Sequence, residues 1–453
     1  MGVGEEWENH RVSATTPSAP QPTPATTSRA VIDLGAIAHN AAVLAQAAGT
    51  PWMAVVKADA YGHGLEPVAR ACLGAGATWL GVAQLAEALH LRSLLDAAGI
   101  ARPAPEARAL PTPTAPRVLT WLAPVLTPER AAAPGSPLRA AIAADLDLSV
   151  STIDQARAIA AAAEAEGRAA RVHLKADTGM SRAGATDNEL PALAAELAGA
   201  ERAGSLAVVG LWSHLSRADE PDSGSTEDHL ARFHAAADAV AAAGLAPVVR
   251  HLAATGGLLW YPDARLDLVR AGIGLYGLSP DPAVATSAGL GLRPAMRLEA
   301  PLILVKRIPA GQAVSYGGTW TAPTDRWVGL VPLGYADGIP RSASGAPVTV
   351  IPSQGGGGDA APAPVHARIV GRVCMDQMVI DLGPAAPGGS GAPAPGARAG
   401  DTAVLWGDGA DPAGIPTADE WAAVCGTINY EIVTRLGARV PRIYLGVGWE
   451  DRV

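Results

Sequence analysis

An alternation of short β-branched runs with Ala- and Leu-rich stretches is the feature that most constrains the fold of this chain. Between residues 29 and 280, short apolar runs resemble buried strands, and stretches of helical periodicity separate them. The predicted strands are residues 52–56, 78–82, 118–122, 146–150, 171–174, 208–211, 248–251 and 266–269. The predicted helices include residues 65–75, 84–98, 153–167 and 227–243. Eight such units over about 250 residues are typical of an α/β fold, the (β/α)8 or TIM barrel.

A doubly wound parallel sheet is the weaker alternative, because no GxGxxG turn follows an early strand. After about residue 285 the helical period fades, and short strands among Gly and Pro turns indicate a second, mainly-β domain. Its predicted strands are residues 301–308, 327–330, 348–351, 366–370, 378–381 and 402–405. We therefore predict a disordered tail at residues 1–28, a barrel domain at 29–285 and a C-terminal β domain at 286–453. Ala/Pro/Gly-rich segments at 101–116, 353–364 and 384–396 are predicted to be solvated loop insertions.

Charge and composition exclude several classes of function. The formal charge is −9 and the chain has no Lys/Arg run, which argues against nucleic-acid binding. No 18-residue apolar stretch is free of charge and proline, so no membrane span is predicted. Acidic residues near the N-terminus are unlike a secretory signal. Three widely spaced cysteines predict neither a disulfide framework nor a metal site, and we expect a cytoplasmic setting.

Lysine is scarce in this chain. Of the 34 Lys and Arg residues only Lys57, Lys175 and Lys306 are lysines. Arginine serves equally well where only charge is needed, so the remaining lysines are candidates for work that a guanidinium cannot do, such as imine formation. Chance retention explains any single lysine equally well.

Polar side chains cluster at the carboxyl ends of the predicted barrel strands, where barrel enzymes place catalytic groups. These residues are Lys57, Lys175, Asp177, His214, Thr255, Gly256, Gly257, Arg270, Gly272 and Ile273. They follow five of the eight predicted strands. A structural role explains one such residue far more easily than it explains the whole set.

Lys57 follows a continuous apolar run, where burial would lower its pKa and make its amine nucleophilic toward an aldehyde. Small residues after the seventh and eighth strands would let backbone N–H groups approach a phosphate. Together these features suggest pyridoxal 5′-phosphate as a cofactor. The alternative is that Lys57 lies at the barrel rim and pairs with Asp59.

Arg270 would then point at the cofactor ring. A guanidinium cannot accept a proton, so a pyridine nitrogen facing it would stay largely unprotonated. The ring would be a poorer electron sink, which suits simple proton exchange better than transamination. A structural ion pair between Arg270 and Asp267 is the alternative.

The chain resembles alanine racemase, a fold-type III enzyme that uses pyridoxal phosphate, from about residue 30 to residue 444. The resemblance rests on the order and type of seven segments: AVVKADAYGHG, LKADTGMSRAG, VRAGIGLYGL, VSYGGTW, PLGYADGIPR, GRVCMDQ and TINYEIVTRLGARVPRIY. It implies a two-base mechanism in a homodimer. Lys57 would carry the cofactor imine and act as the base on one face. Tyr316 of the other subunit would be the opposite base, activated through His214 and Arg270.

The resemblance also implies the remaining site residues. Arg182 would contact the cofactor's phenolic oxygen and the substrate carboxylate, the Met375 backbone N–H would bind that carboxylate, and Tyr335 would narrow the entrance. The phosphate would be held by Tyr61, Thr255, Gly272, Ile273 and Tyr430. Lys175 corresponds to a lysine that is often carbamylated in this family. The chain departs from the family at Ala254 and Thr255, where Asn and Ser are usual.

Interconversion of L- and D-alanine, which supplies D-alanine for peptidoglycan, is the function that the resemblance implies. Three alternatives stay open at this point: a racemase of broader specificity, a fold-type III amino-acid decarboxylase, and a non-enzymatic pyridoxal phosphate carrier. A decarboxylase would want an acidic partner at the pyridine nitrogen, which Arg270 does not provide. A carrier would need no second domain.

Overall fold

The computed structural model describes residues 28–104, 108–353, 363–385 and 396–446. The predicted disordered tail lies outside the described residues except for Ser28, as do most of the segments 353–364 and 384–396. The first strand, β1 (Arg29–Asp33), leads directly into helix α1 (Leu34–Ala48). The Asp33 side chain accepts a hydrogen bond from the Ala36 N–H and so caps the start of this helix.

Eight parallel strands follow and form one sheet that is nearly closed. They are β2 (Trp52–Val55), β3 (Trp79–Gln84), β4 (Arg117–Leu122), β5 (Leu146–Val150), β6 (Ala170–Lys175), β7 (Leu206–Trp212), β8 (Val249–His251) and β9 (Val269–Ala271). β9 pairs with β2, while the seam between β8 and β9 is joined by the hydrogen bond from Arg270 N to Ala253 O, at 3.0 Å. Most of these strands are buried along their whole length, as expected when helices cover a parallel sheet.

Helices connect the strands around the outside of the barrel. They are α2 (Lys57–Gly62), which is a left-handed turn, and the helices α3 (Leu65–Gly74), α4 (Leu85–Ala97), α5 (Pro128–Ala132), α6 (Pro137–Ala143), α7 (Ile153–Glu166), α8 (Leu190–Arg202), α9 (Ser225–Ala242) and α10 (Thr255–Trp260). α7 shows why such a stretch forms a helix: the Thr152 side chain caps its start, and Gly167 ends it in the left-handed conformation. No helix in the part of the chain described has both the length and the apolar character needed to cross a bilayer.

The second domain is built on a nine-stranded, mostly antiparallel sheet that includes β1. Its strands after the barrel are β10 (Met296–Pro301), β11 (Leu304–Ile308), β14 (Arg326–Val331), β15 (Pro347–Ile351), β16 (Val365–Val370), β17 (Met378–Pro384), β18 (Thr402–Trp406) and β19 (Arg442–Leu445). Their order in the sheet is β11-β14-β17-β16-β15-β18-β10-β1-β19. A separate hairpin joins β12 (Ala313–Val314) to β13 (Trp320–Thr321). The fold prediction, a (β/α)8 barrel followed by a mainly-β domain, is confirmed.

Several strands differ from the sequence predictions. Strand β1 lies before the barrel in sequence but pairs with β10 and β19, so residues 29–33 belong to the second domain's sheet. The predicted strand at 301–308 corresponds to β11 over 304–308, whereas β10, which ends at Pro301, was not predicted.

Two helices of the second domain complete the fold, α11 (Ala418–Cys425) and α12 (Asn429–Thr434). α12 packs against α2 of the barrel. A Cβ built on Gly62 would lie 2.4 Å from the Val433 carbonyl oxygen, so only glycine permits this approach. The contact brings Tyr430 to the carboxyl end of the barrel.

Candidate active site

Lys57 stands at the end of strand β2, at the start of an unusual turn. Four consecutive residues have left-handed φ angles between 52° and 56°: Ala58, Asp59, Ala60 and Tyr61. Each such residue costs about 1–2 kcal/mol relative to the right-handed conformation, so surrounding contacts must hold the turn. One contact is the hydrogen bond from the Asp59 N–H to Glu87 Oε1, at 3.0 Å. The turn leaves Lys57 Nζ 5.8 Å from the centre of the Tyr61 ring.

The half-buried Lys57 amine is tuned toward the neutral form. Its pKa is lowered first by burial and then by the Arg182 guanidinium, while Glu87 raises it. The alternative of a rim ion pair with Asp59 is not seen among the described residues, since Asp59 Oδ1 instead accepts a hydrogen bond from the Leu65 N–H at 2.8 Å. A neutral amine at a strand end is the form that attacks a carbonyl carbon.

Beside Lys57 the structure brings together four of the residues that the resemblance implies for the phosphate, and Ile273 follows the last barrel residue of this group, Gly272, in the chain. The four are Tyr61, Thr255, Gly272 and Tyr430. Thr255 Oγ1 accepts a hydrogen bond from the Gly272 N–H at 3.0 Å. The Tyr61 ring centre lies 6.3 Å from that of Tyr430. A Cβ on Gly272 would lie 2.8 Å from Tyr61 Oη, so this wall of the site has room only for glycine.

Arg270, on β9, is fully buried and donates to four acceptors. Its Nη2 lies 2.9 Å from the Ser213 carbonyl, 2.8 Å from the Leu252 carbonyl and 3.0 Å from His214 Nδ1. Its Nη1 lies 3.1 Å from His251 Nδ1. The predicted alternative, an ion pair with Asp267, does not form in the described structure.

His214 is held in a single state by this contact. Burial and the positive charge of Arg270 move the pKa of His214 well below its usual value, so the ring is neutral. Because a guanidinium can only donate, Nδ1 is the acceptor and the proton of His214 is on Nε2.

Lys175 ends strand β6 and lies over the face of Trp212, with Nζ 4.3 Å from the ring centre. Burial, followed by the charges of Arg270 and Arg182, lowers the pKa of Lys175 to about 8. Asp177 partly opposes this shift. Lys175 therefore has a substantial neutral fraction near pH 8, unlike an ordinary lysine.

The carboxyl end of the barrel carries a surplus of positive charge. The Arg182 guanidinium is close enough to lower the pKa of Lys57, Lys175 and His214. Within the described ranges, no carboxylate makes an ion pair with Lys57, Lys175, Arg182 or Arg270, and burial alone lowers the pKa of Arg270. A site with this charge favours a ligand with anionic groups, such as a phosphate or a carboxylate.

Three residues that the resemblance implies for the same site lie elsewhere on this chain. Tyr316, Met375 and Tyr335 are 72%, 53% and 39% exposed, on loops of the second domain. The Tyr335 N–H donates to the Cys374 carbonyl at 3.0 Å, and Ser315 Oγ lies 3.2 Å from Cys374 Sγ. These bonds join the three loops into one surface, which we call the Tyr316 surface. In the part of the chain described, the Tyr316 hydroxyl has no hydrogen-bond partner.

Comparisons with known proteins decide the family. A family profile described as the alanine racemase N-terminal domain matches residues 32–280, and one described as the C-terminal domain matches residues 295–444. The chain belongs to the alanine racemase family. The resemblance seen in its sequence motifs is thereby confirmed, and the chain is an enzyme of this family.

Curated and solved alanine racemases are similar to the chain over nearly its whole length. It is 50% identical to the alanine racemase of Beutenbergia cavernae over 92% of this chain and 98% of that protein. The crystal structure of alanine racemase from D-cycloserine-producing Streptomyces lavendulae has a TM-score of 0.79 at 43% identity, covering 94% of this chain and 98% of that one. The Bacillus anthracis alanine racemase with bound L-Ala-P has a TM-score of 0.74 at 30% identity, covering 95% of this chain and 97% of that one.

Sequence reasoning missed two residues that pack against the site residues of this alanine racemase family member. Tyr276 is fully buried, stacks on Tyr61 with ring centres 4.6 Å apart, and donates to the Val55 carbonyl at 3.0 Å. Its place in the VRAGIGLYGL segment was the available signal. Glu87, which contacts the Lys57 turn, lies at the start of a predicted helix and carries no local signal at all.

Proposed function

We propose that this chain interconverts L- and D-alanine with pyridoxal 5′-phosphate, and that its homodimer supplies D-alanine for peptidoglycan in the cytoplasm. Membership of the alanine racemase family supports the reaction. The observation that carries the proposal at the level of the site is the unpaired positive charge around Lys57. That charge suits a ligand with a phosphate at one end and an amino-acid carboxylate at the other.

The residues present fit pyridoxal phosphate. Lys57 Nζ would bind the aldehyde carbon, while Tyr61, Thr255 and Gly272 would hold the phosphate, helped by Ile273 and Tyr430. The close packing at Gly272 supports this placement, because a side chain there would press on the Tyr61 hydroxyl, one of the groups assigned to the phosphate. When bound, the cofactor withdraws electrons and acidifies the Cα proton of an attached amino acid.

Inversion needs a base on each face of the substrate, and this proposal assigns Lys57 to one face and Tyr316 to the other. Tyr316 comes from the partner subunit. Its 72% exposure and the joined loops of the Tyr316 surface support this assignment, since the surface presents three site-type residues away from the chain's own barrel. One base removes the Cα proton and the other returns a proton on the opposite side.

A phenol with a pKa near 10 is a weak base at neutral pH and needs help. The orientation of His214 supplies it. Since Nδ1 accepts from Arg270, Nε2 carries a proton that it can donate to the phenolate oxygen of the partner's Tyr316. Arg182 binds the substrate carboxylate with the Met375 backbone N–H, and Tyr335 narrows the entrance.

A chiral amino-acid assay tests the proposal. Purified protein is loaded with pyridoxal phosphate and given L-alanine, D-alanine or a panel of larger L-amino acids. We expect racemisation of alanine in both directions. Release of carbon dioxide without racemisation would indicate a decarboxylase, turnover of larger amino acids at similar rates would indicate a broad racemase, and no reaction would indicate a carrier.

The closed wall at Gly272 gives a prediction for cofactor binding. Gly272→Ala should weaken the binding of pyridoxal phosphate by about tenfold or more, because the added Cβ displaces Tyr61 Oη. Titration of the apoprotein, followed by absorbance, measures the change. Gly74→Ala is the control, since a Cβ there meets nothing within 4 Å. Equal affinities for the two variants would contradict the placement of the phosphate.

The lowered pKa of Lys175 gives a prediction for carbamylation, which we propose for this residue. Only a neutral amine reacts with carbon dioxide, so the carbamate should increase as the pH rises through about 8. A carbamate would place an anion beside Arg182 and orient its guanidinium. NMR of protein in ¹³C-bicarbonate should show a signal that Lys175→Arg lacks. A signal that persists in this variant would place the modification elsewhere.

A further inference from the structure

A chain of hydrogen bonds between buried polar side chains, which we call the file, crosses the interior of the barrel and ends at Arg270. Asp147 on β5, His173 on β6 and His251 on β8 are each 0% exposed. His173 Nε2 lies 3.2 Å from Asp147 Oδ2, and His173 Nδ1 lies 2.9 Å from His251 Nε2. His251 Nδ1 then lies 3.1 Å from Arg270 Nη1. Barrel interiors are normally filled by branched apolar residues, so this file is exceptional.

At the end of the file away from Arg270, the carboxylate of Asp147 stays ionised. Asp147 accepts from Arg171 Nε at 2.6 Å and from Trp79 Nε1 at 3.1 Å. Burial opposes ionisation, but Arg171 and His173 hold the pKa of Asp147 well below its usual range. An ionised carboxylate can only accept hydrogen bonds.

The carboxylate at one end and the guanidinium at the other fix the direction of each bond in the file. His173 donates from Nε2 to Asp147, and its Nδ1 accepts from His251, because Arg270 can only donate and therefore leaves the proton of His251 on Nε2. His251 must then donate from Nε2, and its Nδ1 is left as an acceptor facing Arg270. Burial and the charge of Arg270 keep the pKa of His251 well below normal, so this ring is neutral as well.

Arg270 needs such an acceptor because it is a buried cation without a carboxylate partner in the described ranges. Its Nη1 is oriented by His251, which leaves Nη2 to donate to His214 and the two carbonyls. If the file ran in the opposite direction, a His251 N–H would face an Arg270 N–H. The guanidinium would then have to move, and His214 would lose its donor.

We propose that Asp147, His173 and His251 form a positioning relay that fixes Arg270 as a hydrogen-bond donor toward His214 and the cofactor ring. This relay deepens the proposed function and rests on it. A purely structural role is the competing explanation, because the Asp147–Arg171 pair also links neighbouring strands. The two explanations predict different results when a hydrogen-bond acceptor in the file is replaced. The relay predicts a change at the bound cofactor, whereas a purely structural role predicts a change in stability only.

Asp147→Asn tests the relay without a change of size. Donors from Arg171, Trp79 and His173 converge on the two carboxylate oxygens, whereas the new side chain has one uncharged acceptor oxygen, so the bond that orients His173 is weakened or lost. We expect the visible absorption band of bound pyridoxal phosphate to move and kcat to fall about tenfold or more. Glu299→Gln is the matched control. Glu299 is a buried carboxylate paired with Arg29 and Arg297 in the second domain, and its loss should lower the melting temperature only.

A second pair of variants tests the file at His251, and it remains informative if Asp147→Asn does not fold. The amide oxygen of His251→Asn can replace Nδ1 as the acceptor for Arg270, whereas His251→Leu offers none. We expect the band to stay close to wild type in the first and to move in the second. Equal effects of the two His251 variants, or a wild-type band and kcat in His251→Leu, would overturn the relay. A wild-type protein that shows no visible band with pyridoxal phosphate would instead refute the proposed function.

Discussion

Replacing Lys57 by alanine is expected to abolish racemisation and the covalent retention of pyridoxal phosphate. The variant loses both the amine that holds the cofactor and the base on one face of the substrate. Loss of both roles should reduce kcat by about 10⁴-fold or more. Borohydride reduction followed by peptide mass analysis measures the covalent link directly, and a chiral assay measures the rate.

Lys306→Ala is the matched control for this experiment. Lys306 lies on β11 in the second domain and is exposed, so its loss should leave both measurements unchanged. Borohydride should label Lys57 in the wild-type protein and in Lys306→Ala. Labelling of Lys175 or Lys306 in place of Lys57 would show that the cofactor site has been assigned to the wrong lysine.

Removing the hydroxyl of Tyr316 is expected to abolish inversion while the cofactor stays bound. Tyr316→Phe keeps the ring but has no group that can carry a proton on the second face. We expect racemisation to fall by about 10²–10⁴-fold, the usual contribution of a general acid–base group. The visible band of the bound cofactor should persist, because no residue in contact with the phosphate has changed.

Exchange with solvent deuterium makes this prediction specific to one face. With Lys57 intact, Tyr316→Phe should still exchange the Cα proton of one enantiomer of alanine and should not exchange that of the other. Tyr261→Phe is the control, since that hydroxyl donates to the Glu220 carbonyl and lies outside the proposed site. Exchange in both enantiomers by Tyr316→Phe would mean that another group is the second base.

The barrel could be predicted from the sequence because its strands are buried on both faces and read as short continuous apolar runs. All eight predicted runs overlap strands of the barrel. The last one was placed too early, since Leu266 has a φ of 50° and the strand begins at Val269. Strand β1 was assigned to the barrel domain because a five-residue strand carries no information about the sheet it joins.

Local motifs located the site, whereas its long-range contacts could not be read from the sequence. Lys57, Thr255 and Arg270 stand at predicted strand ends, so the barrel itself brings them together. Asp147 and His173 also lie on predicted strands, but nothing in their local sequence indicates that they point inward and face each other. That fact depends on the tilt and register of the barrel strands, which one-dimensional patterns do not encode.

In the proposed function, the two bases of one site come from two different chains. Lys57 lies in the barrel, and Tyr316 lies exposed on the second domain. A homodimer with two-fold symmetry would place the Tyr316 surface of each chain over the barrel of the other. Two inactive variants should then complement each other, because one site of a mixed dimer contains both bases.

The most direct measurement is therefore the activity of mixed Lys57→Ala and Tyr316→Phe chains, unfolded and refolded together. If the chains reassort at random, half of the dimers are mixed and each has one intact site, so we expect about one quarter of the wild-type racemase activity. Each variant refolded alone should stay inactive. No recovery in the mixture, with mixed dimers shown by differently tagged chains, would contradict a site made of Lys57 from one subunit and Tyr316 from the other.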